Sequence, residues 1–261
     1  MSAAQTKVSN SVTGEFNSPE LASGFIGPLK SVDGSNVKHV VVHFDKESNS
    51  VKINAMNENR TVIIFVEYLN GLVDSLKINQ DYNLGIYDLT EFVSMYEIFS
   101  GGANLEINNN VVTIENEGQQ FYFLGSDPDA IKTGPKTLKA DLKWLAEFTW
   151  SKADFGPFFS ALSKLNEEYV ILQGKEGEKT FSLKIANHEM RSSAFTFTVD
   201  LEEANFESFN IVLNKEYFKN IVNSHSNESL NIQISEKLVS FSVKNEYSKI
   251  RYYVNAVAKA N

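Results

Sequence analysis

The chain runs through one succession of elements twice, and this constrains its fold more than any other feature. Ile86-Tyr-Asp-Leu-Thr-Glu-Phe92 aligns with Val212-Leu-Asn-Lys-Glu-Tyr-Phe218 at an offset of 126 residues. Each segment reads as a strand end, a polar cap (Asp88, Asn214) and the start of an amphipathic helix. Leu89, Phe92, Val93, Tyr96 and Phe99 fall on one face of the first helix, and Phe218, Ile221, Val222 and His225 on one face of the second, at a spacing near the helical period. After each helix come three alternating strands, Leu105 to Ile107, Val111 to Ile114 and Phe121 to Leu124 in one half. The other half has Leu230 to Ile234, Leu238 to Val243 and Ile250 to Val254.

A second pair precedes the first. Phe16-Asn-Ser-Pro-Glu-Leu21 aligns with Trp150-Ser-Lys-Ala-Asp-Phe155 at an offset of 134, which also sets Phe25 against Phe159 and Lys30 against Lys164. Ser18 and Ser151 are suited to helix N-caps and Pro19 to a first helical position; Glu20 and Asp154 suit the positive helix start. Strands follow at Val37 to Phe44 and Val51 to Met56, and again at Tyr169 to Leu172 and Thr180 to Ala186. The longer stretch Tyr68 to Tyr82 absorbs the difference in offset. The expectation is an α+β chain of two similar domains of antiparallel sheet with two helices each. The boundaries are a loose tail over 1–12, domain one over 13–124, a linker over 125–139 carrying two Pro and two Gly, and domain two over 140–261.

Composition narrows the chemistry. The chain has no cysteine, which removes thiolate catalysis, disulfides and cysteine metal sites. No apolar run is long enough to span a membrane, and the start has no signal-peptide pattern, so a protein of the cytoplasm is expected. A formal net charge of −9 argues against gripping DNA by phosphate neutralisation over the whole surface. It leaves room for local positive charge, or for a protein held on DNA by topology.

In their order along the chain, the Ile86–Phe92 segment, the Ser126-Asp-Pro-Asp linker, Trp150 to Phe155 and the closing Arg251-Tyr-Tyr-Val254 resemble the DNA polymerase sliding clamps of large tailed phages. Those clamps are similar in plan to proliferating-cell nuclear antigen. The resemblance implies a homotrimeric ring with helices lining the hole and sheets forming the wall. It implies sequence-independent association with double-stranded DNA, a clamp loader ATPase, and a DNA polymerase tethered for processivity. In some relatives the transcription machinery is a further partner. No catalysis, cofactor, metal or membrane contact is implied.

On this reading Lys30, Lys152, Lys164, Lys215 and Lys219 are candidates to face DNA in the pore, lysine being a point charge without bidentate fixation. The helix from Leu89 to Phe99 carries no basic residue. Subunits would join through Gln119 to Leu124 and Ser193 to Val199, with Phe121, Phe123, Phe195 and Phe197 at the interface. A partner peptide would enter a pocket of Ile131, Leu138, Tyr253, Asn255 and Val257.

Enzymatic patterns are weak. His39 and His43 would share a strand face without a completing carboxylate, and His188-Glu189 lacks a second histidine. Gly174 to Thr180 has the composition of a phosphate loop without its order and reads better as a hairpin turn. Two alternatives stay open, a β-rich viral structural or assembly protein that does not encircle DNA, and an α+β enzyme without a recognisable site.

Overall fold

The structure is a computed structural model. It describes residues 11–99, 101–138, 142–150, 152–187, 193–200 and 206–257. The first half runs β1 (Val12–Phe16), α1 (Pro19–Asp33), β2 (Val40–Asp45), β3 (Ser50–Met56), β4 (Val62–Tyr68), α2 (Asn70–Val73), β5 (Leu76–Ile78), β6 (Tyr82–Ile86), α3 (Leu89–Glu97), β7 (Ala103–Asn108), β8 (Val111–Asn116) and β9 (Gln119–Leu124). The second runs β10 (Ala146–Trp150), α4 (Lys152–Lys164), β11 (Tyr169–Gly174), β12 (Thr180–Ala186), β13 (Ser193–Asp200), β14 (Phe209–Asn214), α5 (Lys215–Ser224), β15 (Leu230–Ile234), β16 (Leu238–Lys244) and β17 (Ser248–Asn255).

Three antiparallel sheets result, in the orders β5-β1-β7-β8-β9, β10-β15-β16-β17-β4-β3-β2-β6 and β13-β12-β11-β14. The block β1-β7-β8-β9 of the first half recurs as β10-β15-β16-β17 in the second, and β4-β3-β2-β6 recurs as β13-β12-β11-β14. The central sheet is therefore a seam: β17 of one half pairs with β4 of the other from Ser248↔Tyr68 to Val254↔Val62.

The two cores are built alike because the aligned aromatics meet. Phe16 stacks on Phe25 at 5.3 Å, and their counterparts Trp150 and Phe159 lie 5.6 Å apart. Phe25 also touches Tyr68 and Tyr96, so α1 and α3 are clamped between β1 and β4. Trp150 is ringed by Phe155, Phe158 and Phe218, and Phe158 reaches Phe195 and Phe197 on β13. Burying each such ring contributes about 1.5–3 kcal/mol.

Local signals set the element ends. The Ser18 hydroxyl accepts from the Leu21 amide and Pro19 opens α1. Asp88 and Asn214 cap α3 and α5. Asn109 and Asn110, both at positive φ, close a two-residue turn between β7 and β8; Glu117 and Gly118 do the same between β8 and β9. Gly174 to Thr180 is the turn of the β11–β12 hairpin.

Three expectations need correction. Val12, assigned to a loose tail, is fully buried and opens β1, with the Ser11 amide bonded to the Ile107 carbonyl. The stretch Tyr68 to Tyr82 holds α2 and β5, an extra edge strand with no counterpart among the described residues of the second half. His39 lies before β2, so it does not share a strand with His43. Ser151 and His188 lie outside the described residues. No described helix is long and apolar enough to cross a membrane.

Candidate functional site

Four helices form the layer that carries the proposed cationic side chains. α1 packs on α3, α4 on α5, and α1 on α5 across the seam. Lys30, in the last turn of α1, is exposed, with its ammonium 2.5 Å from Glu97 Oε1 at the end of α3. Lys164 is exposed at the corresponding end of α4, with no ion pair among the described residues. Lys219 is half-buried and 3.6 Å from Glu216, one helical turn away. The side chain of Lys152 lies outside the described residues.

Lys215 departs from the expectation. It is buried, its ammonium donates to the Leu165 carbonyl at 2.5 Å, and Glu216 lies 3.8 Å away. At the offset of 126 it occupies the place of Leu89, a core position, so it is tied to structure instead of facing solvent. The helix layer is mixed in sign, since Glu20, Glu91, Glu97 and Glu216 are exposed on it beside the lysines.

The two outer sheets each end in an edge that the described chain leaves open. β9 pairs only with β8, and β13 only with β12. Three other edges are met by neighbouring backbone. Gly85 on β6 bridges Ser126, the Val212 carbonyl on β14 accepts from Val257, and Leu145 beside β10 accepts from Glu207. In the recurring strand order β9 takes the place of β17, and β13 that of β4. The open edges are thus the two sides of the seam that closes inside the chain.

On β9, Phe123 is buried edge-on against Phe92 at 5.0 Å, and Phe121 is half-buried. Phe195 and Phe197 are half-buried on the inner face of β13. These four side chains carry the core up to the edges. The outward side chains, Tyr122 at 61% and Leu124 at 75% exposure, are the residues sequence reasoning missed. Their signal was available: Phe121 to Leu124 is apolar at every position, without the polar alternation of a solvent-facing strand.

The expected peptide pocket is only partly assembled. Ile131 is buried against Gly85, where a Cβ would meet the Ser126 carbonyl at 2.4 Å, and Gly134 binds the Asn54 carbonyl. Tyr253, nearly buried, packs edge-on against Phe65 at 5.8 Å on the outer face of the central sheet. Asn255 is exposed and binds the backbone of Arg60 and Thr61; Val257 and Leu138 are half-buried. Arg251, bonded to the Tyr253 hydroxyl, borders this face and was not anticipated.

Beside the seam, between α1 and the end of α5, lies a cavity of about 600 Å³ bordered by His225 and Glu228. His225 is buried, with Nδ1 2.7 Å from Glu228 and Nε2 2.7 Å from the Tyr252 hydroxyl. Burial raises the Tyr252 hydroxyl above its ordinary range, so it stays protonated, and the Glu228 carboxylate, which can only accept, takes the hydrogen bond at Nδ1. This bond, with a further one from Asn245, holds Glu228 below its ordinary value. The described residues contain no group of three or more His, Cys, Asp or Glu able to hold a metal ion.

No family model matches the sequence, and no curated protein matches it. Solved structures do. The PCNA of A. fulgidus, solved with the C-terminal region of FEN-1 bound, is 14% identical with a TM-score of 0.77; the match covers 96% of this chain and all of that one. The Proliferating Cellular Nuclear Antigen of Entamoeba histolytica gives 13% identity and a TM-score of 0.77, over 96% of this chain and all of that one. In the PCNA2–PCNA3 complex of Sulfolobus tokodaii the values are 12% and 0.74, over 95% of this chain and all of the matched one. The chain has the fold of the PCNA-type sliding clamps.

Proposed function

We propose that the chain is a sliding clamp: three copies close into a ring around duplex DNA, and a replicative DNA polymerase is tethered to it after loading by an ATPase. The observation that carries this reading is the seam. β17 and β4 join inside the chain, and their counterparts β9 and β13 stand open at its two ends. Pairing β9 of one copy with β13 of the next repeats the internal joint, and only a head-to-tail arrangement does so. Closure also covers Tyr122 and Leu124, which would otherwise invite aggregation.

The charge pattern supports encirclement over gripping. With a net charge of −9 and a helix layer of both signs, the chain has few cations to offer phosphates. Lys30, Lys164, Lys219 and Lys152 are the proposed DNA-facing residues. Partners would dock along the linker and the Tyr253 face. No catalytic step is proposed. The phage-type affiliation, and with it residence in a host cell's cytoplasm, rests on the order of segments in the sequence.

Light scattering with negative-stain imaging tests the reading. The expected result is a trimer with an open centre, retained on closed circular DNA after loading and lost when the circle is cut. A monomer at micromolar concentration, or an assembly without a channel as a structural protein would form, overturns it.

A further inference from the structure

Resting on the clamp reading, we propose that Glu97 is a built-in competitor for phosphate at Lys30. The carboxylate holds the ammonium whenever no phosphate lies beside it, and so keeps the ring's grip on DNA weak. The geometry is specific to one half of the subunit. Lys30 at the end of α1 and Glu97 at the end of α3 meet at 2.5 Å, with side chains 64% and 45% exposed, so solvent and a passing phosphate can reach both. At the equivalent sites of the second half the lysine is kept as Lys164, but the position 126 residues after Glu97 is Asn223. Lys164 accordingly has no carboxylate partner among the described residues, and the two halves present the same cation in two states, one engaged and one free.

The energetics favour exchange. An exposed ion pair shifts an equilibrium by at most about fivefold, and a lysine–phosphate contact in water is similarly modest. Swapping one anion for the other therefore costs little in either direction. Lys30 can pass from Glu97 to a phosphate and back as the duplex moves, without a deep well at any register. Lys219 and Glu216, 3.6 Å apart on α5, form a second pair of this kind. Strong bidentate fixation would have the opposite effect, and no arginine is found on the four helices.

The test is duplex affinity measured by fluorescence anisotropy with the full chain and a short labelled duplex over a range of salt. Light scattering verifies that each variant keeps the assembly of the parent. Glu97→Gln should tighten binding about twofold to fivefold. It should also steepen the dependence of log affinity on log salt by up to about 0.9 per engaged lysine. Lys30→Ala and Lys164→Ala should each weaken binding, and Glu97→Gln should have no effect once Lys30 is Ala. If Glu97→Gln tightens binding equally in the Lys30→Ala background, the effect is bulk charge and the proposal fails. It also fails if Lys30→Ala leaves affinity unchanged, or if Glu97→Gln does not tighten binding; in these cases a ring that holds DNA still stands. Absence of any duplex binding even at low salt overturns this proposal alone, because the clamp reading is tested separately by the trimeric ring and its retention on closed circles.

Discussion

Lys215 shows how an alignment can hold an answer that residue type obscures. A lysine at the start of an amphipathic helix suggests a solvent-facing charge, yet the repeat sets it against the buried Leu89. Its stem fills the core position and its ammonium satisfies the Leu165 carbonyl. Lys215→Ala should lower stability by about 1–3 kcal/mol, because it leaves a buried acceptor without a donor. It should leave the salt dependence of DNA binding as it was. Urea unfolding and anisotropy together check this. Glu228 belongs to the same scale. Its folded value is depressed by the bond from His225, so its stabilisation is fully present above the ordinary glutamate range and is lost as pH falls through the lowered value. Unfolding curves for the parent and Glu228→Gln should be separated at neutral pH, with the gap closing below roughly pH 4. A gap that persists in acid would show that the carboxylate charge is not what matters. The sequence could not have disclosed the whole cluster, since His225 and Glu228 are three residues apart but Tyr252 joins them only through tertiary packing.

At the scale of elements, the second outward side chain of an edge strand decides more than its inward ones. Phe121 and Phe123 belong to the core of their own subunit, so replacing them tests folding as much as assembly. Leu124 is 75% exposed and supports nothing internal that the structure shows. Leu124→Lys, or Tyr122→Lys, should shift the assembly towards smaller species on size-exclusion chromatography while changing monomer stability by less than about 0.5 kcal/mol. An unchanged elution profile would place the subunit contact elsewhere. Strand identity and helix faces were legible because period-2 and period-3.6 patterns are written locally. Edge position was not, because it depends on which strand fails to find a neighbour. The extra β5 with α2 was likewise hidden inside a stretch that looked like slack, although Leu76 and Ile78 alternate as a strand should.

At the scale of the whole molecule, duplication of the cores was readable from aromatic pairs such as Phe16 with Phe25 and Trp150 with Phe159. The way the halves join was not readable, since strand order is a long-range property. That join has a mechanical consequence. In the proposed ring, six near-identical seams alternate around the circumference, three spanned by the connector at 125–139 and three with no peptide across them. A spanned seam that springs open faces its other side again at an effective concentration on the order of millimolar, and zips shut. An unspanned seam has no such tether, so any force that prises the ring apart is funnelled to those three places, and the gate for DNA is fixed by covalent wiring and not by a weaker contact.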